Sequence, residues 1–298
     1  MSLFTLLNFF IPSFRPSTPP RLEVLRALPT VAPGRTPLLF VHGAFCAGWV
    51  WEEHFLHWFA EQGHPAYALS LRGHGGSDGR ERLRETSFSE YVEDLDVTVK
   101  AITEETGCAP VVVGHSMGGM IVQHWIAGVD RTTFRTTPLC RGAVLLSSVP
   151  PSGLTGTSLH MLVSDPTLIW QLTAMQAFGD SPLSSGIQRA MFAPDAPAAL
   201  IANYYRRQQD ESIRAPLDMH CALPPDPTNG KTIPMLVLGA DHDTFVTDWM
   251  NQSTAQYYNT ECVILPDTGH SIMLGPSWPH AARTLHDWLV ENDLADAP

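Results

Sequence analysis

The stretch VVVGHSMGGMIVQHWIAG, residues 111–128, constrains the fold more than any other part of the chain. Its three valines predict a buried strand, and the apolar residues after Gly119 recur at helical spacing. Between the two lies G-H-S-M-G, which leaves room only for a sharp turn with a strained serine, Ser116. Glycines at both ends of that turn avoid clashes that larger side chains would make. The pattern predicts a serine raised on a tight turn between a strand and a helix.

The same G-x-S-x-G spacing occurs a second time, at GGSDG, residues 75–79. There the serine is Ser77, and the residues that follow it are charged and polar rather than apolar and periodic. This composition is typical of a surface loop that precedes the helix start at Ser87. We therefore predict that Ser116 is the nucleophile of a catalytic site and that Ser77 is a loop residue.

Composition indicates a globular protein and excludes several classes of function. The 298 residues are 44% hydrophobic and 16% charged, which suits a chain with a sizeable core. A net charge of -12 would repel a nucleic-acid backbone, and no cluster of lysine and arginine offsets it. We expect no nucleic-acid partner, and the sequence does not indicate an oligomeric state.

Five scattered cysteines and the apolar N-terminus bear on location. The cysteines lack metal-binding spacing and predict reduced, mostly buried thiols in a cytoplasmic protein, with Cys46 the possible exception because it lies near a candidate site. The segment MSLFTLLNFFIPSF has no basic start and is too short to cross a bilayer. It can dock on the domain as a helix or make a peripheral membrane contact, and both readings stay open.

Short apolar runs alternate with amphipathic stretches along the chain, which predicts an α/β fold with a mostly parallel sheet. A region from about 150 to 230 breaks this rhythm, since it contains helical patterns and no convincing strand. We predict strands at 37–43, 65–71, 109–116, 142–148, 233–240 and 261–266, with an edge strand at 22–28, and helices at 49–63, 87–107 and 278–292.

A serine nucleophile needs a base, and the base needs an acid that orients it. His270 follows the last predicted strand and is the candidate base. Asp241 and Asp243 both follow the strand at 233–240. We favour Asp243, because three residues after Gly239 allow the chain to turn inward, and Asp241 is then expected to cap that turn.

An oxyanion formed during attack by the serine needs two hydrogen-bond donors. The backbone N–H of Met117, the residue after the candidate nucleophile, is one expected donor. The loop HGAFCAGW follows a predicted strand and offers the second, the N–H of Ala44. His42 in the same segment is expected to brace the loop by hydrogen bonding.

Five motifs resemble those of the α/β-hydrolase superfamily in order and spacing: HGAFCAGW, RGHGGS, GHSMGG, GADHD and GHSIML. The resemblance covers roughly residues 37–149 and 231–292. It implies an α/β-hydrolase fold with an eight-stranded, mostly parallel sheet flanked by helices and a helical cap inserted after strand six. Residues 1–149 and 231–298 would form the core, with 1–20 as an apolar extension, and 150–230 would form the cap. The resemblance also explains GGSDG as a structural turn.

The resemblance further implies an apolar substrate pocket under the cap. The candidate substrate contacts are Phe45, Trp170, Met175 and Phe178. Haloalkane dehalogenases and epoxide hydrolases of this superfamily use an aspartate nucleophile, whereas this chain has a serine. Plant hydroxynitrile lyases carry threonine at the position of Ala44 and lysine at the position of Ser271, which disfavours that activity here.

These features together predict a serine hydrolase that cleaves a carboxylic ester, or a lactone or thioester, of a largely apolar small molecule. The expected route is an acyl-enzyme on Ser116, with no metal and no organic cofactor. Two alternatives stay open. One is a lyase or C–C bond hydrolase reaction on the same fold, and the other is a hydrolase-like receptor without catalysis.

Overall fold

A computed structural model describes residues 19–30, 34–128, 140–178, 185–228 and 230–298. The apolar N-terminal stretch, for which docking or membrane contact was expected, lies outside the described residues. Among the described residues, none of the helices has the length and apolar character needed to cross a membrane.

Seven strands of the described chain form one sheet in the order β1-β3-β2-β4-β5-β6-β7. The strands are β1 Glu23–Ala27, β2 Leu38–Val41, β3 Ala66–Ser70, β4 Val111–His115, β5 Gly142–Leu146, β6 Met235–Ala240 and β7 Glu261–Leu265. Only the edge strand β1 runs antiparallel to its neighbour. Every residue of β2 to β6 is buried, which explains their continuous apolar runs. The predicted mostly parallel sheet is confirmed.

Eleven α-helices occur in the described residues. They are α1 Trp49–Glu52, α2 Phe55–Glu61, α3 Phe88–Thr106, α4 Met117–Ala127, α5 Leu154–Ser164, α6 Pro166–Phe178, α7 Ser185–Ala190, α8 Ala198–Tyr205, α9 Arg214–Cys221, α10 Asp248–Tyr258 and α11 Trp278–Glu291. The predicted helix over 49–63 is two helices, because His54 leaves helical geometry at φ -141°. Its ring instead stacks on Trp278, with centroids 4.5 Å apart.

Two hydrophobic cores cover the two faces of the sheet. Alternate residues of a strand point to opposite faces, so Leu38 and Phe40 enter one core while Leu39 and Val41 enter the other. The first core contains the aromatic group of Phe40, Trp51, Phe55 and Phe59 and is closed by α11; the second is closed by α3 and α4.

The helices α5 to α9 lie between β5 and β6, in the region where the sequence predicted an insertion. The resemblance implied eight strands with the insertion after the sixth, whereas the described residues form seven strands and the helices follow the fifth. A third apolar cluster joins α5, α6 and α7 to the chain that follows β6. Its buried members are Met161, Leu168, Met175, Ile187, Phe245, Val246 and Met250.

A buried ion pair holds the RGHGGS turn on the sheet. The Arg72 guanidinium donates to both oxygens of Asp94 at 2.7–3.0 Å, and its other amino group lies 3.1 Å from Glu90. The side chain of Asp94 is 2% exposed and that of Arg72 is 13% exposed. Because the cation is nearly dehydrated, loss of the carboxylate would leave it poorly paired.

We predict that Asp94→Ala lowers the free energy of unfolding by about 3 kcal/mol, at the lower end for broken buried pairs because Glu90 stays as a partner. Urea unfolding measures the change. Lys100→Ala is the control, since its pair with Asp96 is solvent-exposed and we expect a change within about 0.5 kcal/mol. Equal effects of the two variants would contradict the role given to the Arg72 pair.

Candidate active site

Ser116 lies between β4 and α4 in a conformation that only a constrained turn maintains. Its backbone angles are φ 53° and ψ -117°, outside the usual regions for a residue with a side chain, at a cost of about 1–3 kcal/mol. A Cβ at position 114 would lie 2.5 Å from the carbonyl oxygen of Gly118, and one at position 118 would lie 2.5 Å from that of His42. The two glycines thus allow the turn to pack against its own helix and against the end of β2.

Ser77, the other serine in a G-x-S-x-G pattern, uses its hydroxyl to hold the sheet edge. Its Oγ donates to the carbonyl of Ser70 at 2.6 Å and accepts from the N–H of Glu23 at 2.8 Å. The side chain therefore links the loop after β3 to the antiparallel strand β1. This geometry gives Ser77 a structural role.

His270 and Asp243 meet across the carboxyl ends of β6 and β7. The His270 Nδ1 lies 2.7 Å from Oδ2 of Asp243, and both residues are buried. The other carboxylate oxygen accepts from the N–H groups of Phe245 and Val246 at 2.8 and 2.9 Å. These bonds orient the carboxylate so that it accepts the Nδ1 proton, which leaves the Nε2 of His270 with a free lone pair.

Asp241, the alternative acid, has a different set of partners. Its carboxylate accepts from the N–H groups of Asp267 and Thr268, each at 3.0 Å, and therefore fastens the loop after β7 to the loop after β6. Both Asp241 and His242 are exposed, and with Asp267 they bring possible metal ligand atoms within 4.8 Å of one another. Exposed acidic groups often approach in this way, and Asp241 already serves the loop.

His115 joins the serine turn to the loop of His270, a contact that the sequence analysis missed. The His115 Nε2 donates to the backbone carbonyl of His270 at 2.9 Å, and the two rings lie 4.8 Å apart. On the other side, a Cβ at Gly43 would lie 2.9 Å from Nδ1 of His115 and 3.0 Å from Cβ of Ser116. Both Ser116 and His270 are described, and no hydrogen bond joins their side chains in this structure. Such catalytic bonds commonly tighten only with substrate.

The sequence does contain a signal for this contact of His115: a polar ring at the end of an apolar strand. A buried imidazole there needs a hydrogen-bond partner. Burial, together with the charge of His270, holds the pKa of His115 well below its ordinary value of 6.5. The ring is therefore neutral and keeps the tautomer that donates from Nε2. It ties the end of β4, just before Ser116, to the loop that carries the candidate base.

The loop after β2 carries the candidate oxyanion donor Ala44. The N–H groups of Ala44 and Met117 donate to no protein acceptor in the described part of the chain. His42 braces the loop as expected: its Nδ1 donates to the carbonyl of Gly43 at 2.7 Å, and its Nε2 accepts from the N–H of Leu71 at 3.1 Å. Burial and the charge of His74 lower the pKa of His42 to about 3, so the ring is neutral.

The four candidate substrate contacts differ in where the structure places them. Phe45 and Met175 belong to the third apolar cluster, which also holds Phe245, whose ring lies 5.0 Å from that of His270. Trp170 is 57% exposed, and its contact with a substrate stays a prediction. Helical spacing aligns Leu168 and Met175 on the inner face of α6, so Trp170 falls on the outer face. The side chain of Phe178 lies outside the described part of the chain.

A small pocket lies beside the loop of His270. Its walls come from the loop after β2, from α1, from α7 and α8, and from Ser271 next to the candidate base. The lining residues are Cys46, Trp49, Gln188, Met191, Phe192, Ile201, Tyr204, Tyr205, Gln208, Ser271 and Leu274. The sequence could not predict this set, because segments 46–49, 188–192, 201–208 and 271–274 become neighbours only in the folded chain.

The five cysteines are all free. Cys46, Cys108 and Cys140 are buried as predicted, whereas Cys221 is exposed and Cys262 is half-buried. Burial and the nearby Glu211 carboxylate raise the pKa of Cys46 to about 12. The thiol that lies nearest to the candidate site is therefore protonated and is a poor nucleophile at neutral pH.

Comparison with known proteins gives the family. The pattern that defines the alpha/beta hydrolase family matches residues 38–283. The chain belongs to this family. It is 43% identical over 65 residues to a monoacylglycerol lipase of Mycolicibacterium smegmatis, which is 22% of this chain and only 23% of the lipase. It is 25% identical over 252 residues to epoxide hydrolase 3 of Xenopus tropicalis, 79% of this chain and 67% of that protein.

A solved structure shares the fold at low sequence identity. The esterase EaEST of Exiguobacterium antarcticum superposes with a TM-score of 0.66 at 14% identity, over 91% of this chain and 95% of the esterase. The overall architecture is therefore common to this chain and a protein of very different sequence.

Because several histidines are neutral in the folded protein, we predict that the protein loses stability in weak acid. Burial lowers the pKa of His42 to about 3 and that of His64 and His124 to about 4, and it holds that of His115 well below 6.5. Unfolding restores a value near 6.5, so the unfolded chain binds more protons below that pH. Stability is therefore retained above pH 6.5 and falls as the pH drops through 6, by up to about 1.4 kcal/mol per pH unit for each histidine.

The measurement is urea unfolding at pH 7.5 and at pH 5.5, and we expect a clearly lower midpoint at the lower pH. His124→Gln removes one of these groups, and we expect a smaller difference between the two midpoints than in the wild type. Coinciding midpoints at the two pH values would show that these rings bind protons in the folded state.

Proposed function

We propose that the chain is a serine hydrolase that cleaves carboxylic esters through an acyl-enzyme on Ser116. One observation carries the proposal: the 2.7 Å hydrogen bond between Asp243 and His270, in a loop tied by His115 to the strained turn of Ser116. A base with a free Nε2, an oriented acid and a raised hydroxyl are the parts that acyl transfer requires.

In the proposed mechanism, the His270 Nε2 accepts the proton of the Ser116 hydroxyl as its oxygen attacks the carbonyl carbon of the ester. The N–H groups of Ala44 and Met117 stabilise the resulting oxyanion, and the first turn of α4 adds its positive end. The imidazolium then gives its proton to the leaving alcohol. Water, activated by the same ring, releases the acid from the serine.

Asp243 supports this sequence by holding the tautomer of His270. Two backbone N–H groups and the Nδ1 proton occupy its carboxylate, so it orients the ring and stabilises the imidazolium without itself taking a proton. A metal or organic cofactor has no step in this scheme.

The substrate that we propose is largely apolar. Aromatic and aliphatic side chains dominate the pocket beside Ser271, and Phe192 and Tyr204 stack within it at 6.3 Å. The names of two similar proteins, a lipase and an esterase, support an ester. The epoxide hydrolase relative supports epoxide chemistry less, because that class uses an aspartate where this chain has Ser116. A lactone or thioester offers the same acyl carbon.

We also propose that residues 150–230 form the cap of a core built from 1–149 and 231–298. The helices between β5 and β6 supply pocket walls from α7 and α8, which supports this division. Five free cysteines support a reducing compartment, and we propose the cytoplasm.

The two serines that share one motif provide a matched test. We predict that Ser116→Ala abolishes labelling by a fluorophosphonate and lowers turnover of p-nitrophenyl esters by at least about 10³-fold, because the nucleophile is lost. Ser77→Ala should keep both activities and lose about 1–3 kcal/mol of stability, because the backbone partners of its two hydrogen bonds are left unpaired. Turnover that persists in Ser116→Ala would favour a lyase or another non-covalent reaction.

Asp243→Asn tests the orienting acid. We predict a fall in kcat of up to about 10⁴-fold with little change in KM, because an amide in place of the carboxylate favours the wrong tautomer of His270. Asp241→Asn is the matched control and should retain kcat, since its carboxylate contacts backbone groups of the loop. A larger loss in Asp241→Asn than in Asp243→Asn would reverse the assignment.

A further inference from the structure

Glu211 is a fully buried carboxylate that the proposed chemistry does not use. It lies in the helical insertion, shortly before α9, and its side chain is 0% exposed. Four donors surround it. The Oε1 accepts from the Tyr91 hydroxyl and from the N–H of Ser212, each at 2.7 Å, and the Oε2 accepts from His74 Nε2 at 3.1 Å and from the N–H of Phe45 at 3.2 Å.

Glu211 keeps its negative charge within this cluster. Burial alone would raise the pKa of Glu211, but the charge of His74 and the hydrogen bonds outweigh it and lower the pKa to about 2. The second ring nitrogen of His74 lies 3.1 Å from the carbonyl oxygen of Arg72, so both ring nitrogens lie within hydrogen-bond distance of an oxygen atom. Glu211 therefore stays ionised beside residues 42–48, which we call the oxyanion loop.

The contact with Phe45 matters because of the conformation of that residue. Phe45 has φ 62°, in the left-handed region that costs a bulky side chain about 1–2 kcal/mol. Both of its backbone polar groups are held by the insertion: the N–H by Glu211 and the carbonyl by the N–H of Gln209 at 3.0 Å. The side chain of Gln209 also donates to the carbonyl of Cys46 at 3.3 Å and accepts from the N–H of Gly75 at 3.1 Å.

We propose that Glu211 is a positioning residue for the oxyanion loop. The Ala44 N–H, the proposed oxyanion donor, belongs to the peptide immediately before the one that Glu211 holds. Without the carboxylate, the Phe45 N–H loses its acceptor, the left-handed turn relaxes and the Ala44 N–H rotates away from the oxyanion. The expected effect of Glu211 on the reaction rate rests on the proposed function, whereas its expected effect on the conformation of the loop does not.

The chemistry of the cluster explains why a carboxylate is needed. All four neighbours of Glu211 donate, so the site requires two oxygens with no proton of their own. Glutamine at this position would present an NH₂ group to two of those donors. Glu211→Gln thus changes the hydrogen bonding of the cluster while nearly conserving the volume of the side chain.

The experiment compares Glu211→Gln with the wild type by hydrogen exchange and by ester turnover. We expect faster amide exchange in peptides that cover residues 42–48. We also expect a kcat lower by about tenfold to hundredfold, with KM changed by less than about threefold, because the misplaced donor acts on the transition state. If Glu211 only stabilised the fold, amide exchange at 42–48 would rise no more than elsewhere in the protein. The variant would then show no selective loss of kcat over KM.

Asp218→Asn is the matched control. It is also a carboxylate of the insertion that accepts from the core, here the N–H of Phe88 at 3.1 Å, but it lies away from the oxyanion loop. We expect it to keep wild-type kcat and wild-type exchange at 42–48. If Glu211→Gln does not fold, Gln209→Ala replaces it, since that side chain is only partly buried, and we expect faster exchange and a kcat about threefold to tenfold lower.

Each outcome decides the inference. The inference is overturned if amide exchange at 42–48 in Glu211→Gln matches that of the wild type. It is also overturned if the kcat of the variant lies within twofold of that of an active wild type. If only Gln209→Ala folds, the same two criteria apply to it. If the wild type turns over no ester but the variant still shows faster exchange at 42–48, the proposed function is rejected. The loop-positioning role of Glu211 is then kept.

Discussion

The structure of the site depends on one close approach between backbones, where the turn at Ser116 packs on the end of β2. A Cβ at Gly118 would lie 2.5 Å from the carbonyl of His42, so the Ser116 turn and the loop after β2 can meet only because a side chain is missing there. Ser116 holds its strained conformation at this contact, and Ala44 and Met117 lie on the two segments that meet there. Strain of this kind persists only when the surrounding packing over-determines it. The buried strands and the two cores of the sheet provide that packing.

Around this contact, neutral histidines do most of the positioning. His42 bonds the loop after β2 to Leu71, just before the RGHGGS turn, and His115 bonds the end of β4 to the loop of His270. Both rings are wholly dehydrated, which removes their charge and leaves each with one donor and one acceptor. A third ring, His74, works differently, since both of its nitrogens lie within hydrogen-bond distance of an oxygen atom, one of them on Glu211. Three histidines close to one another in space thus have distinct roles because their partners differ.

The sequence predicted what depends on local pattern. The strand, turn and helix around Ser116 are contiguous in the chain, so glycine spacing and apolar periodicity identify them. Asp243 and His270 follow late strands, and parallel strands bring their carboxyl ends together, so that pairing could also be predicted. The sequence did not predict Glu211 or the contact of His115, since each meets partners far away in the chain. The exposure of Trp170 could not be predicted for a related reason: apolar character alone does not say which face of a helix packs inward.

The bond between Glu211 and Phe45 also bears on how such a protein can be altered. The insertion and the core are often treated as separable modules, with one setting selectivity and the other supplying the chemistry. Here a carboxylate from the insertion completes the geometry of a loop on the core. Grafting an insertion from another member of the family onto this core would therefore remove a loop support along with the pocket walls. Exchange of whole segments in this protein has to carry Gln209 and Glu211 with it.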